Sequence, residues 1–280
     1  MKITFVICLH STRINNLKQV LRFLEKREPN LYGSQIVIVL HDKLDEIITS
    51  TMFDIQQFNL NLQIYNKALM CNYAIKMAKH EIIVILDSDR ILPKDYFYIN
   101  AVKIKKNQFI TTKFLRECIK DYTDIELDKN LFDYIYEERC PDNRINRKNL
   151  FSGNVMFFKT VYQEIGGMDE SFVGYSFNDN DITQKIITKK CFLCEFNNDI
   201  EIHLFHKKEF FYETKNFTKD EKEVHCVSNM LKYCNKWNLE INQRYKEAKE
   251  YIIVANRIKN EEIKNRFFSE FNKLKLNIFV

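Results

Sequence analysis

The sequence predicts an α/β fold: an α/β/α sandwich on a mostly parallel central sheet, followed by a C-terminal helical extension. Three observations carry this expectation. Strand-like apolar runs at Ile3–Leu9, Gln35–Leu40 and Glu81–Leu86 alternate with stretches of helical spacing at Asn15–Arg27 and Lys67–Lys79, the βαβ rhythm of a parallel sheet. The polar residues Arg13, Asp42, Asp87 and Asp89 follow those strand runs, where ligands of open sheets bind. From about Lys207 the composition shifts to long, charged, helix-favouring runs, so residues 1–210 read as the α/β domain and 211–280 as the helical extension.

In chain order, Ile3–Leu9 is a buried strand that ends in His10-Ser11-Thr12-Arg13. The helix after it places Leu17, Val20, Leu21 and Leu24 on one face. Leu60–Tyr65 reads as a third, short strand. Glu81–Leu86 is apolar after its first residue, as a strand buried on both sides requires, and stops at Asp87. The stretch from Asn100 to Arg147 is charged and aromatic without a clean period and is read as helices and loops. Asn154–Phe158 reads as a strand, Asp179–Thr188 as a helix and Asp199–Ile202 as a short strand. Near the end, Phe267, Phe268, Phe271, Leu274 and Ile278 form one helical stripe among Lys264, Arg266, Lys273 and Lys275. This suits a helical hairpin packed on the α/β domain, with a peripheral contact to the inner membrane face as the alternative.

Composition narrows the function classes. The 280 residues are 45% hydrophobic and 29% charged, which fits a globular chain that needs no disulfides. Forty-three Lys and Arg against 38 Asp and Glu give a net charge of +5. That is too weak and too dispersed for nucleic acid, and compatible with an anionic small ligand or membrane face. The opening residues resemble a strand rather than a signal peptide. The longest apolar run, Ile82–Leu86, is far short of the ~20 residues that span a bilayer, so a cytoplasmic location is expected. Of the eight cysteines only Cys191 and Cys194 have CxxC spacing, without the second pair a zinc site would need.

Asp87-Ser88-Asp89 leaves the buried run Ile82–Leu86 directly. Two carboxylates at a buried strand end repel each other and lose hydration unless a cation sits between them. A hard divalent ion carrying a diphosphate is the natural occupant; magnesium and manganese prefer oxygen ligands, and manganese also accepts imidazole. His203 and His206 follow the piece Asp199–Ile202 and are candidates for a further ligand.

Glycine is scarce, and four of the five glycines (Gly153, Gly166, Gly167, Gly174) lie within 22 residues. Such a cluster marks backbone that needs positive φ or close approach. After it, Asp179 or Asp181 falls at a helix start, where an anion is stabilised by the dipole and free N–H groups; either could be only a cap.

The combined pattern resembles inverting nucleotide-sugar glycosyltransferases of the GT-A fold in glycosyltransferase family 2. Residues 152–182 are similar to the motif shared by galactosyltransferases and N-acetylgalactosaminyltransferases: Ser152-Gly153-Asn154, then Ile165-Gly166-Gly167-Met168-Asp169-Glu170 and Phe172, then Gly174-Tyr175 through Asn178-Asp179-Asn180-Asp181. The resemblance covers about residues 1–210. It implies that Asp89, and less directly Asp87, holds a manganese ion (or magnesium) bridging the donor diphosphate, with His203 or His206 completing the site. It implies that Arg13, Asp42, Lys67, Asn72 and Ser88 contact a nucleotide-sugar donor, UDP-linked in the favoured reading. Asp179 would be the catalytic base, and Gly153, Asn154, Tyr175 and Asn178 would line the sugar and acceptor clefts. The acceptor would be a glycan or lipid-linked glycan, as in capsule or lipooligosaccharide synthesis. Two departures stand out: Asn178 occupies a position that usually holds Glu, and Ser176 replaces a second glycine. Both bear on the acceptor more than on the reaction class, and Asn178 keeps a non-catalytic nucleotide-sugar-binding subunit as an alternative. A nucleotidyltransferase is disfavoured, because the loop after the first strand has no glycine.

Overall fold

The computed structural model describes residues 1–117, 145–146, 150–174, 176–205, 219–239 and 250–273. Four parallel strands start the sheet: β1 (Thr4–Leu9), β2 (Gln35–Leu40), β3 (Asp54–Asn59) and β4 (Ile82–Leu86), in the order β3-β2-β1-β4. The sheet continues beyond β4 through β8 (Asn154–Phe158), β6 (Gln108–Glu117), β9 (Leu193–His203) and β5 (Arg90–Ile91), with β7 (Ile145–Asn146) on β6. This second half is mixed: β8 runs antiparallel to β4 and β6, whereas β6 and β9 are parallel.

Alternation along the strands builds two cores, as the pleat requires. One face carries Phe5, Ile7, Ile36, Ile38 and Val84, packed under α1 (Ile14–Arg27) and α3 (Tyr96–Lys103). The other carries Val6, Val37, Val39, Ile83 and Ile85, under α2 (Lys67–Met77), α4 (Lys159–Glu164) and α5 (Asn178–Thr188). This is the expected α/β/α sandwich.

Three strands differ from expectation, one of them in length only: β9 has eleven residues where Asp199–Ile202 was expected. The third strand is Asp54–Asn59, not Leu60–Tyr65. Its residues DIQQFN are half exposed at the sheet edge, so there is no apolar run to mark it. The stretch after Asn100 contains the ten-residue β6, which the charged sequence hides. Most of the rest of that stretch lies outside the described residues.

A third core belongs to α6 (Lys219–Trp237) and α7 (Glu261–Lys273). Val224, Leu231, Phe267 and Phe271 enclose Phe172, which is fully buried yet comes from the loop before α5. Burying one such ring contributes about 2–3 kcal/mol, so the helical pair and the α/β domain are joined through that loop. Leu274 and Ile278 of the expected stripe lie outside the described residues. No helix among the described residues is long and apolar enough to cross a membrane.

Candidate active site

The carboxyl ends of β1 and β4 open into a cleft of about 400 Å³, lined among others by Tyr65, Lys67, Asp87, Asp89, Asp179 and His203. They enter from separate parts of the chain: the start of α2, the β4–β5 connection, the start of α5 and the end of β9. β4 is buried along its length and delivers Asp87 at its end, where the Asp87 N–H donates to Gly153 O at 2.7 Å. Gly153 holds φ +100° there, a conformation that favours glycine. Three residues on, β5 pairs with β9 in a register that sets Arg90 opposite His203. That pairing brings His203 Nε2 to 3.2 Å from Asp89 Oδ2, and the Leu204 N–H donates to Asp89 O at 2.8 Å. Burial alone would push the Asp89 carboxyl up. The His203 hydrogen bond and the charges of Arg90, His203 and Arg13 outweigh it and hold the group well below the usual carboxylate range.

Lys67 is the first residue of α2, whose N-cap Asn66 accepts the Leu69 N–H through its side chain. From there the Lys67 ammonium lies 3.1 Å from Asp87 Oδ1 and 3.3 Å from Asp179 Oδ1, and it donates to Phe151 O at 3.4 Å. Burial works against its charge, but Asp179 and Asp87 more than compensate, and the lysine pKa is raised. A fixed cation thus joins the strand-end acid to the helix-start acid.

The two acids of α5 separate in role. Asp179 faces the cleft. Asp181 is 1% exposed on its side chain and turns the other way, accepting from Trp237 Nε1 at 2.8 Å and lying 2.9 Å from Lys236 Nζ. Asp181 is therefore an anchor to α6. Asn178 lines the cleft, and its Oδ1 accepts the Asp179 N–H at 3.0 Å.

Of the other expected site residues, Ser88 lines the cleft. Arg13 is buried close enough to lower the Asp89 pKa. Asp42 lies to one side and accepts from the Ser11 N–H at 2.8 Å and from the Ser11 hydroxyl, beside the stacked rings of His10 and His41. Burial and His10 push the His41 pKa down, against a smaller opposing effect of Asp42.

Asn72 and Asn154 do not line the cleft, a correction to the expectation. Asn72 ties α2 to the paired-glycine turn, donating to Met168 O and Glu170 Oε1, both at 2.9 Å, and accepting from the Tyr162 hydroxyl. Asn154 is 1% exposed and donates to Glu201 and Thr112 in the sheet interior. Strand alternation explains it: the residue after Gly153 points into the core. Tyr175 and His206 lie outside the described residues.

The sequence reading missed Tyr65, Arg90 and Phe177, all on the cleft. Arg90 had a readable signal, directly following the acidic pair. Tyr65 and Phe177 had none beyond being aromatic.

Residues 137–209 match the family model described as the N-terminal domain of galactosyltransferase. Staphylococcus aureus TarS 1–349, solved in complex with UDP-GlcNAc, is similar at TM-score 0.52 and 14% identity, over 100% of this chain and 77% of that one. GalNAc-T7, solved with UDP, GalNAc and Mn2+, is similar at TM-score 0.55 and 11% identity, over 90% of this chain and 58% of that one. The chain has the GT-A fold of glycosyltransferases. No curated protein sequence matches the chain.

The donor chemistry of this GT-A site suits a divalent ion: one carboxylate and one imidazole converge at Asp89 and His203, a combination manganese accepts. Among the described residues no third His, Cys, Asp or Glu joins them. Cys191 and Cys194 are exposed free thiols.

Proposed function

We propose that the chain is a metal-dependent inverting glycosyltransferase that moves a sugar from a nucleoside-diphosphate donor, UDP-linked in the favoured case, to a hydroxyl of a glycan or lipid-linked glycan in bacterial surface polysaccharide synthesis. The observation that carries the reading is the convergence of Asp89, His203, Lys67 and Asp179 on one cleft at the strand ends.

Asp89 and His203 would hold the ion, which when bound supplies Lewis acidity toward the departing diphosphate. Lys67 adds a fixed positive charge in the same cleft, placed before the reaction and therefore free of reorganisation cost. An acceptor hydroxyl is a weak nucleophile until its proton is taken, and Asp179 would accept that proton as the bond forms. Attack from the side of Asp179, opposite the leaving group, inverts the anomeric carbon. Asn178 keeps the Asp179 backbone in place and offers its amide where a carboxylate would otherwise stand.

The test is thermal stability against UDP, GDP, CMP and UDP-sugars with and without manganese. A manganese-dependent rise with UDP that vanishes in Asp89→Ala supports the reading. No rise with any nucleotide would sink it. Nucleotide binding without sugar transfer to any acceptor or to water would favour the non-catalytic subunit.

A further inference from the structure

The loop that leads to Asp179 is gripped from outside the α/β domain. Arg266, on α7, donates through Nη2 to Ser171 O at 2.9 Å and to Asn229 Oδ1, while Nη1 lies 3.5 Å from Val173 O and 2.7 Å from His225 Nε2. Asn229, on α6, donates to Val173 O at 2.9 Å and to Ser176 O at 3.4 Å. One guanidinium and one amide thus satisfy three carbonyls of the loop, those of Ser171, Val173 and Ser176.

That backbone needs holding. Gly174, Ser176 and Phe177 have φ of +79°, +75° and +67°, and the last two carry side chains that adopt this region only when their surroundings enforce it. Phe177 opens α5 with no side-chain cap, and its ring lies 5.6 Å from Tyr233 of α6. From the opposite side, the Gly174 N–H donates to Tyr65 O at 2.6 Å and Asn66 donates to Glu170 O at 2.8 Å. Asp179 follows Phe177 by two residues, so its place in the cleft depends on this conformation.

We propose that the C-terminal helical pair is a positioning part of the transfer apparatus, with Arg266 as its central residue. The proposal rests on the function argued above and assigns α6 and α7 a role in setting Asp179, beyond covering the α/β domain. A planar fork is needed to reach a carbonyl, an amide and an imidazole at once, which the single ammonium of lysine does not reproduce.

The experiment compares wild type with Arg266→Lys and Asn229→Ala in the full chain. Hydrogen exchange is read over residues 171–181 and over β1 and β4, together with UDP binding in manganese and release of UDP from UDP-galactose with water as acceptor. Expected are at least tenfold faster exchange confined to 171–181, UDP affinity within twofold of wild type, and kcat at least tenfold lower with KM within twofold. Unchanged loop exchange in both variants would overturn the proposal. So would exchange accelerated equally in β1 and β4 with UDP affinity falling in parallel, which is the mark of a merely structural contact. If wild type binds no UDP, the function argued above fails. In that case faster exchange confined to 171–181 still supports the grip, and unchanged exchange still overturns it.

Discussion

Lys67 Nζ lies 3.3 Å from Asp179 Oδ1, although the two residues are 112 positions apart. The same ammonium reaches Asp87, so the strand-end acid and the helix-start acid share one counter-charge. Removing it leaves two partly buried carboxylates facing each other.

Lys67→Met is therefore expected to destabilise the chain by about 2 kcal/mol, the range for losing hydrogen bonds to charged groups. Adding Asp179→Asn should recover part of that loss, because it removes one of the uncompensated charges. Chemical denaturation of the two single variants and the double variant measures the coupling. Strict additivity would mean the ammonium contributes nothing to holding the acids together.

Asp89 and His203 should act as a unit in metal binding. Asp89→Ala is expected to abolish the manganese-dependent thermal shift with UDP. His203→Ala should weaken manganese binding by at least tenfold, since it removes one of the two ligand-type groups that converge there among the described residues. Calorimetric titration with manganese in saturating UDP checks both. Wild-type manganese affinity in His203→Ala would remove this histidine from the site.

Gly174 has a double constraint: φ is +79°, and a Cβ there would overlap the His225 ring. Gly174→Ala is expected to cost about 2 kcal/mol or more, combining backbone strain with overpacking. A lower urea midpoint with an unchanged slope would show it.

Stability should depend on pH through His225. Burial, then the Arg266 charge, pulls its pKa down to about 3. The unfolded chain binds this proton near pH 6.5 and the folded chain does not, so the contribution is complete above 6.5 and is lost as pH falls toward 3. At pH 5 the loss is on the order of 2 kcal/mol. Glu28 works in the opposite sense. Burial raises it to about 7, against the opposing hydrogen bonds it accepts from the Phe97 and Tyr98 N–H groups. Its contribution is complete below pH 4.5 and lost as pH rises through 7. Melting curves from pH 4 to 8 should show a smaller acid-side loss in His225→Asn than in wild type.

Much of the fold was legible because burial on both faces leaves long apolar runs. β1, β2 and β4 are such runs, and α1 shows its packing face in Leu17, Val20, Leu21 and Leu24. β3 and β6 were hidden by polar residues that edge exposure and buried pairing tolerate; Thr112, for instance, is satisfied by Glu201. In the site, Asp87 and Asp89 could be named because two carboxylates leave a buried strand end together, whereas Lys67 and the role of Asp179 came only from the resemblance. Asn72 and Asn154 were misplaced because an asparagine that braces a turn and one that touches a ligand look alike in one dimension. Arg266 could not have been found, since its significance is a set of carbonyls some 90 residues away.

The two acids of α5 provide the sharpest contrast, since they are alike in type and two residues apart yet opposite in surroundings. Asp179→Asn keeps the shape of the cleft and a weakened contact with Lys67, so UDP binding in manganese should stay within a fewfold of wild type. Sugar transfer should drop by at least a hundredfold, because the amide cannot accept the hydroxyl proton. Asp181→Asn breaks the ion pair to Lys236 behind the helix and weakens the bond from Trp237. Its cost should appear as lost stability of about 2–3 kcal/mol, with transfer at low temperature largely retained. Assaying both variants at 10 °C beside their melting temperatures separates the roles: if Asp181→Asn is the one that loses transfer while Asp179→Asn retains it, the base assignment belongs to the wrong acid.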